Sequence, residues 1–598
     1  MNQKIAKILY EMAEFLEMEG VAFKPRAYEK AAISIEALGK DIKEIYKEGG
    51  VKALEEIPGV GKGIAERVEE YIKTGKIGDY EKLKKKMPVN IQELTSIEGV
   101  GPKIIKNLYK YLGIKTLADL KKAAKAGKLK NLPYFGEKLE QKILKGIEFH
   151  EKGKGRFLLG DVIFIARAIK SRLETLPEVK KVEFTGSLRR WKETIGDIDM
   201  LVASSKAKKV MDYFTAMPEI SHIYAKGATK TMARLAGGID ADLRVVGEKS
   251  FGSALQYFTG DKNHNIALRK IAIKKEFKLN EYGLYKAQSS KPKTQNYSSK
   301  LKNKKWMQVA GENEEEIYNK LGMDWIPPEI REKNGEIEAA QKHKLPRLVG
   351  IDDIKGDLQT QTDWTDGANS ILEMAREAEK LGYEYIAITD HTRSLAMTGG
   401  SDEKKLLCQI KEIKKINYSL RVASYKLRVL SGAEVNILKN GSLDIPDEVL
   451  GKLDFAGAAI HSNFHFPRKE QTKRLIKAME NPHIDIVFHP TGRIIQKRPE
   501  IELDINKIFK TAKETGTALE INAFPSRLDL KDGYIRLAKK IGVKFAINTD
   551  AHSINHLHFM EFGVSQARRA WCGKKDIINT MPLKNFLEFI KKPKHKRY

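Results

Sequence analysis

The chain has 598 residues, too many for one hydrophobic core and enough for roughly three to five modules. Its 108 Lys and Arg against 79 Asp and Glu give a formal net charge of +29, which favours a polyanionic partner, while the two cysteines, Cys408 and Cys572, exclude a disulfide framework or a cysteine-based zinc site. No run approaches ~20 uninterrupted apolar residues and the opening MNQKIAKILYEMAEF is charged throughout, so a soluble intracellular protein without a signal peptide is expected.

The first ~150 residues read as helices, with Ile5, Leu9, Met12, Ala13 and Leu16 at a helical period. Two glycine turns interrupt them. Ile57-Pro58-Gly59-Val60-Gly61-Lys62-Gly63-Ile64-Ala65 is echoed at Ile97-Glu98-Gly99-Val100-Gly101-Pro102-Lys103-Ile104-Ile105, with a weaker third copy at Leu132-Pro133-Tyr134-Phe135-Gly136-Glu137-Lys138-Leu139. Each is a tight turn opening a helix, where unblocked backbone N–H groups and the positive end of the helix dipole bind phosphate without reading bases. A single such turn is also how many helices end. Repeated beside Lys62 and Lys103, the turns Gly59-Val60-Gly61 and Gly99-Val100-Gly101 resemble the helix-hairpin-helix element of DNA repair proteins.

From about residue 155 to 325, β-rich stretches mix with helices around an acidic cluster. Asp197 and Asp199 head the apolar run Gly196-Asp197-Ile198-Asp199-Met200-Leu201-Val202, ten residues past Gly186-Ser187. Alternate side chains of a strand share a face, so both carboxylates can serve one cation, and a divalent metal offsets their repulsion. Asp242, in Ala241-Asp242-Leu243-Arg244-Val245-Val246, is a third acid on a strand-like run; three acids on adjacent strands suit two Mg²⁺ ions and phosphoryl or nucleotidyl transfer. In Phe184-Thr185-Gly186-Ser187-Leu188-Arg189-Arg190-Trp191, Gly186 lets the backbone approach a triphosphate, Ser187 donates to it and Arg190 neutralises it. Tyr257-Phe258-Thr259-Gly260-Asp261-Lys262-Asn263-His264-Asn265 offers aromatic rings for a sugar and base and carboxamides for a minor-groove base edge, with core packing the alternative for both rings. The basic stretch Lys291–Lys300 reads as a mobile loop, Trp325-Ile326-Pro327-Pro328-Glu329 closes this part, and the charged 331–347 segment reads as the main linker.

Beyond it, short apolar runs end in polar residues: Tyr385–His391, Val429–Glu434, Phe455–His461, Ile484–His489, Ala518–Asn522 and Phe545–His552, with helical stretches between them. Such alternation predicts a parallel sheet, and in a β/α barrel the C-terminal strand ends converge on one mouth. His391, Glu434, His461, His489, Asp550 and His552 would gather there, a donor set suited to Zn²⁺ or Mn²⁺ and to hydrolysis of a phosphodiester.

With these motifs in place, the chain resembles the prokaryotic family X DNA polymerases that carry a C-terminal polymerase-and-histidinol-phosphatase (PHP) domain, from Met1 to about Ser553. The resemblance rests on Gly186-Ser187 with Arg190, Asp197-x-Asp199 with Asp242, and Tyr257-Phe258-x-Gly260. It implies that Asp197 and Asp199 bind both metals, Mg²⁺ or Mn²⁺, that Asp242 joins one while activating the primer 3′-hydroxyl, that the Tyr257–Gly260 segment discriminates the sugar, and that Asn265 contacts the incoming base or its pair. It further implies short-gap filling on gapped or primed DNA from dNTPs, with the glycine hairpins gripping the strand. A monomer of the prokaryotic cytoplasm, nucleoid-associated and without membrane contact, is expected.

The chain departs from the family twice. Where related repair polymerases place a Schiff-base lysine after Ala-Glu, this chain has Arg67, a poor nucleophile, so little lyase activity is expected there. Where PHP domains read Asp-Leu-His-x-His, this chain reads Asp357-Leu358-Gln359-Thr360-Gln361, losing two imidazoles, although Asp366 stands where the family has a further ligand. The pocket that uses both histidines then keeps Glu434 and Asp550 as strong ligands, and an impaired exonuclease is expected. The expected fold is multidomain α+β and α/β: residues 1–85 a helical, lyase-like DNA-binding domain, 86–154 a helix-hairpin-helix domain, 155–255 a nucleotidyltransferase palm, 256–330 a thumb, 331–347 the linker, 348–575 a distorted β/α barrel (PHP) and 576–598 a basic segment. The alternatives are a metal-dependent 3′–5′ exonuclease or phosphoesterase as the main activity, and a non-catalytic DNA-binding scaffold.

Overall fold

The computed structural model describes every residue except 37, 39, 40, 58, 96, 98, 99, 134, 153, 154, 289–305 and 598; the hairpin residue Gly99 and the Lys291–Lys300 stretch therefore lie outside the described residues. Two compact units emerge, one of residues 1–154, 349–564 and 574–598, the other of 155–348 and 565–573. No helix among the described residues is long and apolar enough to cross a membrane.

In the first unit, residues 1–154 are helical around a core that includes Ile5, Leu9, Met12 and Ala13 of the Asn2–Glu19 helix. The three glycine turns share one hydrogen-bond pattern. Val60, Val100 and Phe135 donate their N–H groups to Ile57, Ile97 and Leu132, while Gly61, Gly101 and Gly136 accept from Ala65, Ile105 and Glu140 at 3.0, 3.0 and 3.1 Å. The apolar residues flanking each turn are buried, so the third copy, weak in sequence, folds like the other two.

The rest of this unit is a parallel barrel. Strands Gly356–Thr360, Tyr385–Ile388 and Arg428–Ser431 form one sheet; Glu434–Asn436, Gly457–Ala459, Ile486–Val487, Ala518–Asn522 and Phe545–Asn548 form another. Isolated parallel bridges, His391 to Glu434 and Thr360 to Ala551, join the two sheets at both seams. Val429–Glu434, expected as a single strand, breaks at Gly432, where a Cβ would lie 3.0 Å from the side chains of both Phe455 and Thr389. The basic C-terminal segment is packed into the barrel. Phe586 stacks on Tyr385 with ring centres 5.0 Å apart, Lys594 Nζ donates to the Met479 and Asn481 carbonyls at 2.6 and 2.9 Å, and Arg597 pairs with Asp485 at 2.6 Å.

The second unit contains a five-stranded sheet in the order 181–184, 197–203, 240–246, 230–235, 220–226. The Asp197–Ala203 and Asp240–Val246 strands pair in parallel, opposing Asp199 to Asp242. Beyond the Phe251–Thr259 helix come the Lys262–Lys274 helix and a three-stranded sheet. The 331–347 segment, expected as a linker, belongs to this core: Arg331 is fully buried, Ile337 and Ala340 join the apolar cluster, and Glu336 accepts from buried His264 at 2.8 Å. Glu314 binds Arg331 at 2.6 and 3.0 Å and Arg189 at 2.9 and 2.8 Å, which neutralises a charge buried far from water.

Candidate active sites

Strand alternation puts Asp197 and Asp199 on one face, and the parallel register sets Asp242 beside Asp199 on the next strand. Burial, then repulsion from Asp197 and Asp242, pushes the Asp199 carboxyl up to about 7; burial and Asp242 likewise raise Asp197. Lys230 Nζ lies 3.0 Å from Asp242 Oδ2. Gly186, at φ 57°, packs directly on this cluster, since a Cβ there would fall 2.2 Å from Asp199 Oδ2, and the Thr185 N–H donates to the Asp199 carbonyl at 2.8 Å. The Gly186-Ser187 turn is therefore built against the acids that sequence spacing had only placed nearby. Three carboxylates placed together, two of them pushed up by burial and by their neighbours, form a hard-ligand set that a divalent cation would relieve.

The Arg190, Tyr257, Phe258, Gly260 and Asn265 side of the site lines a single open cleft. Arg190 is held by Glu332 at 3.2 Å and by the Thr259 carbonyl, so it enters the site already paired. Asn265 is 8% exposed, and its carboxamide donates to the Tyr257 carbonyl and accepts from Gln256, both at 2.7 Å. The expected base contact thus competes with two buried hydrogen bonds that brace the Tyr257 backbone. Sequence reasoning missed Lys262 and Arg269, which line the same cleft; Arg269 lies over the Tyr257 ring at 5.2 Å. One helical turn separates Arg269 from Asn265, a spacing that would have revealed it. In the helical region Gly61, Lys62, Gly101 and Lys103 stand at helix starts, and Gly59 adopts φ 77°.

At the barrel mouth, two groups of donor atoms converge: Asp366 with His391 and His552, and His391 with Glu434 and His461. Asp366 Oδ2 lies 3.7 Å from His391 Nε2 and 3.8 Å from His552 Nε2, too far for hydrogen bonds. Buried Asp366 Oδ1 has no hydrogen-bond partner, nor has His391 Nδ1, which faces Glu434 Oε2 at 3.6 Å. Glu434 is different. Gln359 and Gln361 donate to its Oε2 at 3.0 and 2.8 Å, and His489 and His461 approach its Oε1 at 2.8 and 3.0 Å. Although burial opposes ionisation, His391, His461 and His489 hold its carboxyl well below the usual range. His489 and Asp550 fall outside both groups; Asp550 pairs with Arg527 at 3.4 Å and accepts from Asn522 at 3.2 Å. Arg527 carries no local signal, because it reaches Asp550 from another loop. His489 and Asp550 both hold positive φ, 28° and 55°, a strain that clusters at functional sites. Asp390 turns away from the ligand groups and binds Thr362, Thr365 and Gln409.

Paired strands carrying three carboxylates beside an open cleft, helical hairpins and a strand-end histidine mouth are the parts of a DNA polymerase that also carries a PHP barrel. Residues 254–332 match the DNA polymerase beta thumb, 1–77 a helix-hairpin-helix domain, 91–148 a SAM-like helix-hairpin-helix tandem and 357–524 the PHP domain. The chain is 36% identical over 594 residues, 99% of either chain, to the DNA polymerase/3′-5′ exonuclease PolX of Bacillus subtilis (strain 168). Over shorter stretches it is 34% identical to a probable phosphatase of Acetivibrio thermocellus (31% of this chain, 73% of that protein) and 31% identical to one of Thermoanaerobacter sp. (strain X514) (38% and 90%). The chain belongs to the PolX family, the family X DNA polymerases with a PHP domain.

Proposed function

We propose that this polymerase fills short gaps in DNA from dNTPs, with its chemistry on Asp197, Asp199 and Asp242. The in-register opposition of Asp199 and Asp242, with Gly186 packed on Asp199, carries the reading. Mg²⁺ bound by these acids supplies charge neutralisation and Lewis acidity at the triphosphate. Asp242 accepts the proton of the primer 3′-hydroxyl, whose oxygen forms the new bond to the α-phosphorus as pyrophosphate leaves. The Gly186-Ser187 backbone and Arg190 hold the triphosphate, Arg190 exchanging Glu332 for phosphate oxygens. Tyr257, Phe258 and Gly260 face the sugar, and Asn265 sets the Tyr257 backbone. The hairpins at Gly59, Gly61 and Lys62 and at Gly99, Gly101 and Lys103 hold the DNA backbone, and the +29 charge suits a monomer working on nucleoid DNA of a prokaryotic cytoplasm. Extension of a one-nucleotide gap by the Asp242→Ala protein at the wild-type rate would refute the assignment.

The PHP domain keeps one good site for Mn²⁺ or Zn²⁺, at Asp366, His391 and His552, and a blunted one at Glu434, whose Oε2 two glutamine carboxamides already occupy. Nucleotide removal from a 3′ end is accordingly slow beside extension. Little lyase chemistry is expected through position 67 as well, where the Arg67 guanidinium pairs with Asp79 at 2.6 Å. Strong borohydride trapping of the wild-type protein on 5′-deoxyribose-phosphate DNA would contradict this.

A further inference from the structure

The loop that presents Asp366 to His391 and His552 is gripped from two sides. Inside the barrel, Asp390 accepts from the Thr362 N–H and from the hydroxyls of Thr362 and Thr365. Outside it, the Lys24–Glu36 helix of the N-terminal region supplies two cations. Lys30 Nζ donates to the carbonyls of Thr365 and Gly367, both at 3.3 Å, which flank Asp366 in sequence. Arg26 Nη2 donates to the Thr365 carbonyl at 3.0 Å and to that of Thr398 on a neighbouring loop. Gly399 makes room for that guanidinium, since a Cβ there would stand 3.2 Å from it. Basic side chains in a helical domain that matches a DNA-binding family are here committed to neutral carbonyls at the rim of a second site. The first glycine hairpin packs on the same helix, with a Cβ at Gly59 falling 3.2 Å from Lys30 Cβ.

We propose that the Lys24–Glu36 helix is a working part of the PHP site, with Arg26 and Lys30 as positioning residues that set the 362–367 loop so that Asp366 faces His391 and His552. Neither side chain hydrogen-bonds the cation group itself; each acts through the backbone that aims Asp366, with the Lys30 charge also felt by the Asp366 carboxylate. Groups that orient metal ligands typically contribute about 10–100-fold in metal affinity. The proposal rests on the cation reading of the Asp366 site given above, and its test separates the two.

The test uses the full chain carrying Asp197→Asn and Asp199→Asn, which silence the palm, with and without Arg26→Gln plus Lys30→Gln. Mn²⁺ binding is followed by electron paramagnetic resonance, and backbone hydrogen exchange is followed without metal. The double substitution is expected to weaken Mn²⁺ binding by about 10–100-fold and to speed exchange at 362–367 and 396–399, with exchange elsewhere in the barrel unchanged. Lys30→Arg should retain most of the affinity, and exposed Lys24→Gln should change neither readout. Unchanged exchange at both loops overturns the seat, and faster exchange with unchanged Mn²⁺ affinity overturns the positioning role. A parent protein that binds no Mn²⁺ refutes the cation reading and the positioning role with it, while the exchange arm still reports whether the helix is seated.

Discussion

In the palm, Asp197, Asp199 and Asp242 crowd together until burial and mutual repulsion lift Asp199 to about 7. In the barrel mouth, Glu434 is buried more completely, yet two carboxamides and two imidazoles within 3.0 Å hold it ionised. The first pocket gains electrostatically from any divalent cation that enters it. At Glu434 the second has to surrender a hydrogen bond for each coordinate bond that carboxylate makes, and a buried donor left without a partner costs about 1–3 kcal/mol. Acid count alone therefore does not identify a metal centre; what already satisfies the acids does.

Breaking the palm should have the largest effect. Asp199→Ala is expected to slow extension by about 10⁴-fold or more without loss of DNA binding, checked by single-turnover primer extension and a binding isotherm. Next in size is the buried charge that the second unit does balance. Burial would raise the Glu314 carboxyl, but Arg331 and Arg189 hold it well below the usual range. Arg331→Met should cost about 3–5 kcal/mol in denaturant unfolding, because Glu314 keeps its charge with two of its five hydrogen bonds gone. A depressed native pKa contributes stability above the unfolded value of about 4.3 and loses it as the pH falls through the native value, so the Arg331→Met deficit should shrink in acid. Gly186→Ala tests whether the Gly-Ser turn serves the acids: the added methyl must displace Asp199 and sits at φ 57°, so about a 10²-fold loss of extension is expected beside about 1–3 kcal/mol of lost stability. The smallest change sharpens the barrel side. Gln359→His with Gln361→His frees Glu434 Oε2 and should raise Zn²⁺ or Mn²⁺ affinity by about tenfold, read by titration calorimetry.

The parts legible in the sequence were those that depend on local geometry. Asp197 and Asp199 share a face because they are two residues apart on a strand, and the strand-end histidines face one mouth because parallel strands all end there. Where distant segments decide, sequence reading fell short. The 331–347 segment looked like a linker because its charges are frequent, but Arg331 meets Glu314 and Glu336 meets His264 across many residues of chain. The basic C-terminus carried no sign in the sequence of its partners, because Lys594 and Arg597 meet the Met479 carbonyl and Asp485 more than 100 residues away. Gln359 and Gln361 were visible as lost ligands; that both amides converge on Glu434 Oε2 was not, since it depends on how the Gly356–Thr360 and Glu434–Asn436 strands face each other.

The central claim is that the main chemistry sits on the palm acids and not on the barrel mouth. It is tested most directly by scoring extension and shortening of a labelled 3′ end on gapped DNA, in Mg²⁺ with dNTPs, for the wild-type, Asp242→Ala and His489→Ala proteins. The wild-type and His489→Ala proteins should extend at the same rate and the Asp242→Ala protein not at all, with shortening slow in every lane. Extension that survives Asp242→Ala, or shortening that outpaces extension in the wild type and disappears with His489→Ala, would contradict it.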